Sequence, residues 1–464
     1  MRLTAAIISA KATAALSRGL RRGGGTALPG LVAERIAPDI VATLASRLGQ
    51  GSVLITGTNG KTTTARLTRN IASAAGLRPV ANSEGSNMMR GVAAALAAAS
   101  RWDGRMRARK KRLGVFEVDE ATMPLIARAV EPRAVLFTNL FRDQLDRYGE
   151  VETVAALWRK AVRSFPPGVA LVINVDDPAV ASLTDVATGP VFLYGVEDLS
   201  EAGGTLDHAA DARWCYACGG ELEYEAVYYA HLGRWRCPGC ARKRPSPDVT
   251  VTSVTPDPDG MTLTLTTLQG DISARLPLTG LYNAYNVAAA TALAVALDLP
   301  QDSVERGLAS FTAGFGRQER LTVDNREVQV VLAKNPAGVN QVIRTLTADA
   351  SPKHLAVFLN DDLADGRDIS WIWDVDFELL TGSVASLVVS GHRAWDMALR
   401  LKYAGLGERP AVEHDYALAL RQAIRQTPEG GTLYVIPTYT AMLEARNILG
   451  RWAGRGAFWE SDNA

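Results

Sequence analysis

A glycine turn that ends in Lys-Thr follows the apolar run SVLIT, in the segment GSVLITGTNGKTTT that begins at Gly51. In such a loop the backbone N–H groups point inward and the next helix presents its positive end, so the loop binds phosphate oxygens. Lys61 would contact the outer phosphates of a nucleotide triphosphate, and Thr62 would ligate Mg²⁺. The segment departs from the general pattern G-x-x-x-x-G-K-[ST], because Ile55 stands at the first glycine position.

The shorter pattern T-G-T-N-G-K-T-T, at residues 56–63, resembles the phosphate loop of the Mur ligases and the folylpolyglutamate synthetases. Those enzymes use ATP to convert a carboxylate into an acyl phosphate, from which an amine displaces the phosphate. The resemblance implies ATP and Mg²⁺ as cofactors. It assigns the nucleotide contacts of the loop to Gly57, Thr58, Asn59, Gly60, Lys61, Thr62 and Thr63. The simpler alternative is a glycine-rich turn before an ordinary helix.

All four cysteines lie in one short stretch, as the pairs Cys215-x-x-Cys218 and Cys237-x-x-Cys240. Two pairs of this kind can place four thiolates around a tetrahedral Zn²⁺. The intervening ELEYEAVYYAHLGRWR alternates like a β-hairpin, which predicts a zinc ribbon with a structural role. Two disulfides are the competing interpretation, although nothing else in the sequence indicates secretion.

Length and composition limit the class of protein. With 464 residues, 47% of them hydrophobic, the chain is too long for one core and should form two or three domains. The 50 basic and 49 acidic residues give a net charge of +1, so no nucleic-acid partner is predicted. No apolar run reaches about eighteen residues, so no transmembrane segment is predicted. Lys11 interrupts the N-terminal apolar run, which favours an amphipathic helix packed on the ATP-binding domain over a targeting peptide or a helix on a membrane surface.

Apolar strands alternate with helix-period segments after the phosphate loop, which predicts a doubly wound α/β sheet with the nucleotide at the carboxyl ends of its strands. A second alternation, with strands near residues 355, 386 and 432, predicts a separate α/β domain. Together with the resemblance, we expect a helical segment at 1–50, a Mur-ligase-like central ATP-binding domain at 51–320 and a Mur-ligase-like C-terminal α/β domain at 321–464. The zinc ribbon would be an insertion in the central domain, at about 205–247.

Glu117 ends the predicted strand LGVFEV and is followed by Asp119 and Glu120. A carboxylate there can hold Mg²⁺ across the sheet from Thr62. Three acids at a strand end can also simply face solvent. In the resemblance to Mur ligases, Glu117 falls where the family has its magnesium-binding glutamate, and Asn87 is a weaker candidate in the loop NSEGSNMMRG that precedes it.

Further motifs extend the resemblance over nearly the whole chain. TNLFRDQLDRYGE at 138–150 resembles the family's T-N-x-x-x-D-H-x-D-R-x-G, with Gln144 in place of a metal-binding histidine. The resemblance implies that Asn283, in GLYNAYN, contacts adenine and that Arg317, in GRQER, contacts the transferred phosphate as an always charged donor. Lys160 lies near the place of a carbamylated lysine in some Mur ligases, without an assigned role.

The Mur-type loop, the Asp-Gln pair, the four-cysteine insertion and the segment NDDLADGRDISWIWDVDFE at 360–378 together resemble the MurT family. Members of that family are synthetase subunits of lipid II isoglutaminyl synthases, which amidate the α-carboxyl of the stem-peptide D-glutamate in peptidoglycan synthesis. The resemblance implies ATP, Mg²⁺ and Zn²⁺ as cofactors and a glutaminase subunit resembling GatD as the partner in a heterodimer. It also implies lipid II as substrate and a cytoplasmic location near the inner membrane surface.

Glutamine hydrolysis needs a low-pKa thiolate paired with histidine. The four cysteines are all assigned to the zinc ribbon, so a glutaminase would have to be another polypeptide. The family resemblance implies that Asp368 completes the Cys-His pair of that partner as the third member of a triad. Trp371 and Trp373 would suit an interface anchor. A solvated loop or a substrate-side Mg²⁺ site is the alternative interpretation of this acidic segment.

Two other functions remain to be distinguished. One is a self-sufficient amino-acid ligase of the Mur or folate type, which Gln144 and the acidic, tryptophan-containing segment disfavour. The other is a zinc-ribbon protein that binds ATP as a regulatory or scaffold module, which Glu117 and Arg317 disfavour because binding alone needs neither.

Overall fold

The computed structural model describes residues 2–19, 28–83, 85–142, 151–203, 206, 210–257, 260–312, 317–348, 350–407 and 410–454. The first eleven strands of this part are β1 (Ser52–Thr56), β2 (Arg78–Val80), β3 (Arg112–Glu117), β4 (Ala134–Phe137), β5 (Ala170–Asn174), β6 (Val191–Val196), β7 (Glu223–Tyr229), β8 (Leu232–Arg236), β9 (Val249–Asp257), β10 (Gly260–Thr267) and β11 (Gly270–Leu276). β7 and β8 form an antiparallel hairpin, and the other nine form one sheet in the order β11-β10-β9-β6-β5-β4-β1-β3-β2.

Helices cover both faces of this central sheet. They are α1 (Arg2–Gly19), α2 (Leu28–Ile36), α3 (Ile40–Ala45), α4 (Lys61–Ala74), α5 (Met89–Ala99), α6 (Met123–Val130), α7 (Val151–Arg163), α8 (Pro178–Ala181), α9 (Leu281–Ala296) and α10 (Gln301–Ala309). The strands β1, β4 and β5 are buried along their whole length. Burial on both faces explains why their sequences are continuous apolar runs rather than alternating ones.

The register of the parallel strands places the predicted functional segments together. β1 lies between β3 and β4, with Ile55 opposite Glu117 and Thr56 opposite Phe137. The carboxyl ends of the three strands therefore meet at one edge of the sheet. The phosphate loop, the acidic segment after β3 and the segment after β4 all begin there.

The N-terminal helix α1 packs on the central domain, as the sequence predicted. It contacts α2 and α5 and buries Ala6 and Ile7 in the core beneath the sheet. Lys11, which interrupts its apolar run, donates from Nζ to the carbonyl of Ser100 at 2.6 Å. In the part of the chain that the structure describes, no helix is both long and apolar enough to cross a bilayer.

The predicted hairpin of the cysteine region is present as β7 and β8, and it is anchored to the central sheet. Tyr228 and Tyr229 enter the main core, where both rings contact Tyr285 of α9. The indole Nε1 of Trp235 donates to the carbonyl of Val175, just after β5, at 3.0 Å. The insertion is thus fixed at the same edge of the sheet as the phosphate loop.

A second sheet follows in the order β12-β13-β17-β14-β15-β16. Its elements are β12 (Arg317–Val323), β13 (Arg326–Val331), α11 (Pro336–Thr347), β14 (Lys353–Phe358), β15 (Val384–Ser390), α12 (Ala394–Tyr403), β16 (Ala411–Val412), α13 (Tyr416–Gln426), β17 (Thr432–Pro437) and α14 (Tyr439–Trp452). All neighbours except β12 and β13 are parallel. The segment between β14 and β15 contains the 3-10 turns Ser370–Asp374 and Phe377–Leu380. The boundaries given above for the three domains stay predictions.

Candidate active site

Gly57 and Gly60 are both required by the shape of the loop between β1 and α4. They have φ angles of 135° and 85°, which L side chains rarely adopt. An added Cβ at Gly57 would lie 2.0 Å from Thr138 Oγ1, and one at Gly60 would lie 2.0 Å from Asn286 Oδ1. Neither position can therefore accept a side chain without displacing its neighbours.

The segment after β4 holds the phosphate loop in place. The N–H of Thr58 donates to the carbonyl of Asn139 at 2.9 Å, and the N–H of Asn59 donates to Asn139 Oδ1 at 2.8 Å. Thr138 Oγ1 donates to the carbonyl of Asn59 at 2.8 Å. Main-chain and side-chain bonds between the two segments make one rigid unit at the carboxyl edge of the sheet.

Lys61, the predicted phosphate ligand, begins α4 and is buried. Its Nζ donates to the carbonyls of Gly57 and Thr58 and to Glu120 Oε1, the last at 3.1 Å. The sequence left the role of Glu120 open, and the structure makes it the buried counter-ion of Lys61. Asp119 instead accepts from the N–H of Ala121 and of Thr122 and so caps the turn before α6.

Thr62 and Glu117, the predicted magnesium ligands, are in direct contact. Thr62 Oγ1 donates to Glu117 Oε2 at 2.8 Å, and both residues are buried. Asn82 fixes the main chain of Glu117, since its Nδ2 donates to the Glu117 carbonyl at 2.8 Å and its Oδ1 accepts from the Glu117 N–H at 3.0 Å. A hydroxyl and a carboxylate oxygen are ligands of the kind that Mg²⁺ takes, so the pair fits this ion.

A cleft lies between the central and C-terminal domains, beside the phosphate loop. Its volume is about 880 Å³, including the part open to solvent. Asn283 lines it, donating to the Thr279 carbonyl at 2.8 Å and accepting from Asn286 at 3.0 Å. Asn59 also lines the cleft, and its Oδ1 accepts from Asn335 Nδ2 at 3.0 Å. A concave site lined by a few convergent amides suits a nucleoside.

The structure leaves two predicted residues unplaced and puts a third on an exposed helix face. Gln144 lies outside the described residues, and so does the side chain of Arg317, whose backbone begins β12. Lys160 is exposed on α7. Asn87 contributes only its main chain near the site, where its carbonyl accepts from the N–H of Asp119 at 3.0 Å.

The four cysteines converge at the base of the hairpin. Their Sγ atoms all lie within 4.8 Å of one another, with Cys215 and Cys240 3.6 Å apart and Cys218 and Cys237 3.4 Å apart. A disulfide requires about 2.05 Å, whereas sulfurs at about 2.3 Å around a tetrahedral zinc are about 3.8 Å apart. The cysteines are free, and their arrangement fits Zn²⁺ rather than two disulfides.

Asp368 lies on the long connection between β14 and β15, at the surface of the C-terminal domain. It is half-buried, and its Oδ1 accepts from the N–H of Ser370 at 2.8 Å. Trp373, five residues on, is 50% exposed and packs edge-on against Tyr403 at 5.7 Å. The predicted interface segment therefore does present aromatic surface to solvent.

Comparison with known proteins supports one family. Residues 332–442 match the family model of the MurT ligase C-terminal region, and residues 55–213 match that of the Mur ligase middle domain. The chain is 35% identical to the lipid II isoglutaminyl synthase (glutamine-hydrolyzing) subunit MurT of Streptococcus pneumoniae, over 92% of this chain and 93% of the relative. The subunit of the same name from Staphylococcus aureus is 32% identical, over 96% and 98%.

The chain belongs to the MurT family. Its α/β fold is that of the Mur ligases, as the sequence predicted. A MurF ligase from Thermotoga maritima in complex with ADP superposes with a TM-score of 0.64 at 12% identity, over 90% of this chain and 84% of that one. At that identity the likeness concerns the fold alone.

We predict that Lys61→Ala and Glu117→Ala each abolish ATP turnover in a protein that still folds, with Lys61→Ala lowering the melting temperature because it breaks the buried pair with Glu120. Both side chains would act on phosphate charge rather than fill the core, and loss of one such group usually costs roughly 10²-fold or more. The measurement is phosphate release together with the melting temperature. Lys111→Ala, which removes an exposed lysine at the opposite edge of the sheet, is the control. Turnover within about tenfold of wild type would place the catalytic site elsewhere.

We also predict one zinc per chain, lost on joint replacement of Cys215 and Cys218 by serine. A structural zinc contributes folding free energy where it binds, so the insertion should unfold locally while the central sheet keeps its hydrogen-exchange protection. Elemental analysis and hydrogen exchange measure the two effects. A wild-type protein that contains no zinc and whose thiols are oxidised would contradict this.

Proposed function

We propose that this chain is the synthetase subunit of a lipid II isoglutaminyl synthase, in which it uses ATP to activate the α-carboxyl of the stem-peptide D-glutamate for amidation. The observation that carries this is the similarity to glutamine-hydrolyzing MurT subunits over more than nine-tenths of both chains. A self-sufficient amino-acid ligase has no such full-length sequence support, since the ligases of the Mur pathway match 66% and 33% of the chain in sequence and the structural match to MurF concerns the fold alone.

The reaction has two steps. A carboxylate oxygen of the substrate attacks the γ-phosphorus of ATP, so that ADP leaves and an acyl phosphate forms. Ammonia then attacks the acyl carbon, phosphate leaves, and the nitrogen loses a proton to give the amide. The first step needs the three phosphates aligned and their charge compensated, because the protein otherwise contributes little covalent chemistry.

The described residues suit that task. The N–H groups at the start of α4 and the Lys61 ammonium would bind the outer phosphates, with Lys61 exchanging its contact with Glu120 for phosphate oxygens. Thr62 and Glu117 would hold Mg²⁺, which would neutralise part of the phosphate charge. The nucleoside would lie in the cleft that Asn283 lines. Arg317 is proposed as a further phosphate contact from the family resemblance alone.

Ammonia would come from a separate glutaminase subunit. The four cysteines of the chain form the proposed zinc site, so none is available as a nucleophile for glutamine hydrolysis. The names of the relatives describe them as subunits of a glutamine-hydrolyzing enzyme. A GatD-like partner is consistent with both observations. We place the complex at the inner surface of the membrane, where a lipid-linked substrate would be reached.

The surface around Asp368 is our candidate for the partner's docking site. Trp373 and Tyr403 pack together, and Trp395 and Leu399 continue this apolar surface along α12, each about half or more exposed. Aromatic side chains on a rigid support are the usual anchors of protein interfaces. Asp368 lies five residues before Trp373 on the same connection, and a carboxylate there could fix the tautomer of a partner histidine.

We predict that Asp368→Asn lowers glutamine hydrolysis by the unmutated partner on the order of 10⁴-fold, because an amide would favour the wrong imidazole tautomer. ATP binding by this chain should not change, and ammonium salts should restore amidation. Glutamine hydrolysis, nucleotide binding and amidated lipid II are measured on the purified heterodimer.

Asp362→Asn is the matched control, because Asp362 is an exposed aspartate of the same connection. A mutant at Asp368 that amidates normally with glutamine would remove this residue from the triad. One that ammonia cannot rescue would place it in the synthetase site instead. A wild-type heterodimer that does not amidate lipid II with ATP and glutamine would overturn the proposed function itself.

A further inference from the structure

Arg142 joins three parts of the chain that are distant in sequence. Its Nε donates to Asp211 Oδ1 and its main-chain N–H donates to Asp211 Oδ2, both at 2.8 Å. Its Nη1 donates to Asp374 Oδ2 at 2.9 Å. Asp211 belongs to the insertion that carries the cysteines, and Asp374 ends the 3-10 turn that follows Asp368.

The backbone of Arg142 is tied to the phosphate loop through its neighbour Phe141. The N–H of Phe141 donates to Thr58 Oγ1 at 2.9 Å, and Thr58 Oγ1 donates to the carbonyl of Phe141 at 3.1 Å. The N–H of Leu140 donates to the buried Asp177 Oδ2 at 2.7 Å. Arg142 therefore cannot move far unless the phosphate loop moves with it.

The insertion holds Arg142 from the other side. The N–H of Asp211 donates to Nδ1 of His231, a fully buried residue at the turn between β7 and β8. The His231 ring also packs against Phe141, with 4.7 Å between ring centroids. With Nδ1 accepting, the proton lies on Nε2, which faces Asp177 Oδ2 at 3.4 Å. The hairpin thus fixes the carboxylate that orients the guanidinium.

Other residues of the C-terminal domain fix the segment around Asp374. Arg400 donates from Nε to the carbonyl of Ile372 at 3.1 Å and from Nη2 to that of Val375 at 2.7 Å. Asn340 Nδ2 donates to Asp376 Oδ2 at 2.9 Å, and the Asp376 N–H donates back to Asn340 Oδ1. Arg142 adds a contact from the central domain to the 3-10 turn Ser370–Asp374, which begins two residues after Asp368.

A guanidinium suits this position better than an ammonium would. Burial lowers the pKa of Arg142, but the charges of Asp211 and Asp374 outweigh that effect and raise its pKa above the ordinary value. The group therefore stays charged at any physiological pH. Its planar shape also presents Nε and Nη1 to two different carboxylates at once, which a single lysine nitrogen cannot do in the same geometry.

We propose that Arg142 is a positioning residue that sets the Asp368 turn relative to the ATP site and thereby couples glutamine hydrolysis in the partner to the state of the phosphate loop. This inference rests on the proposed function. It also gives the cysteine-bearing insertion a task, since Asp211 and His231 hold Arg142 in the direction of Asp374. The Arg142–Asp374 ion pair is partly exposed, and such pairs contribute little to the free energy of folding. Its contribution is therefore to hold the position of the turn.

The test compares two nitrogen sources in the purified heterodimer. Arg142→Met and Asp374→Asn should each lower glutamine-dependent amidation about tenfold, because small displacements of a catalytic group cost one to two orders of magnitude. Ammonia-dependent amidation should stay within about twofold, since the synthetase site keeps its own residues. The double mutant should be no worse than either single mutant, because both changes remove the same contact.

Arg142→Lys keeps the charge but loses the contact with two carboxylates at once. Its glutamine-dependent amidation should therefore be as low as that of Arg142→Met rather than equal to wild type. Arg275→Met is the control, because it breaks the Arg275–Asp257 pair of 3.0 Å on the far strands of the central sheet. Equal losses with glutamine and ammonia would show that Arg142 supports the fold or the synthetase site only. Additive single-mutant effects, or full activity with glutamine, would also overturn the inference while leaving the proposed function intact.

Discussion

The parallel register of β1 between β3 and β4 is the constraint on which the rest of the site depends. It places Ile55 opposite Glu117 and Thr56 opposite Phe137, so the phosphate loop, the magnesium-type carboxylate and the segment that leads to Arg142 leave the sheet at one edge. Because side chains alternate along a strand, a shift of β3 by one residue relative to β1 would turn Glu117 to the other face of the sheet. Full burial of β1 and β4 on both faces opposes such a shift, since these strands are held by the helices above and below.

Contacts at the same edge of the sheet explain how the cysteine-bearing insertion, which has little core of its own, is held in place. A segment of about 40 residues seldom buries enough apolar surface to fold alone. Here Trp235 bonds to the end of β5, Tyr228 and Tyr229 enter the core of the host domain, and four thiols converge where a metal fits. The buried Asp176 accepts from Tyr285 and pairs with Arg244 of the insertion. Burial raises the pKa of Asp176 while Arg244 opposes that rise, so the ion pair is part of what keeps the insertion attached.

Local patterns were sufficient to predict much of this protein. The two glycines of the loop, the cysteine spacing, the apolar strands and Glu117 at a strand end all carry their information within a few neighbouring residues. The pairing of Lys61 with Glu120, the support of Glu117 by Asn82 and the three-way contact of Arg142 join residues 35 to 232 positions apart. No short pattern encodes such contacts, because they depend on how the sheets and the insertion pack. For Asn82 and Glu120, the only signal in the sequence was their position in or beside recognised motifs.

In the phosphate loop, the buried carboxylate of Glu120 balances the positive charge of Lys61. A ligand that binds the Lys61 ammonium has to replace its contact with Glu120, and separating a buried ion pair is unfavourable unless new contacts compensate. Under the proposed function, a triphosphate that brings a divalent cation could offset this loss with its own charge interactions, whereas an uncharged nucleoside could not. Glu120 would then compete with the ligand for Lys61, and the pair would favour adenine compounds that carry charge at their far end.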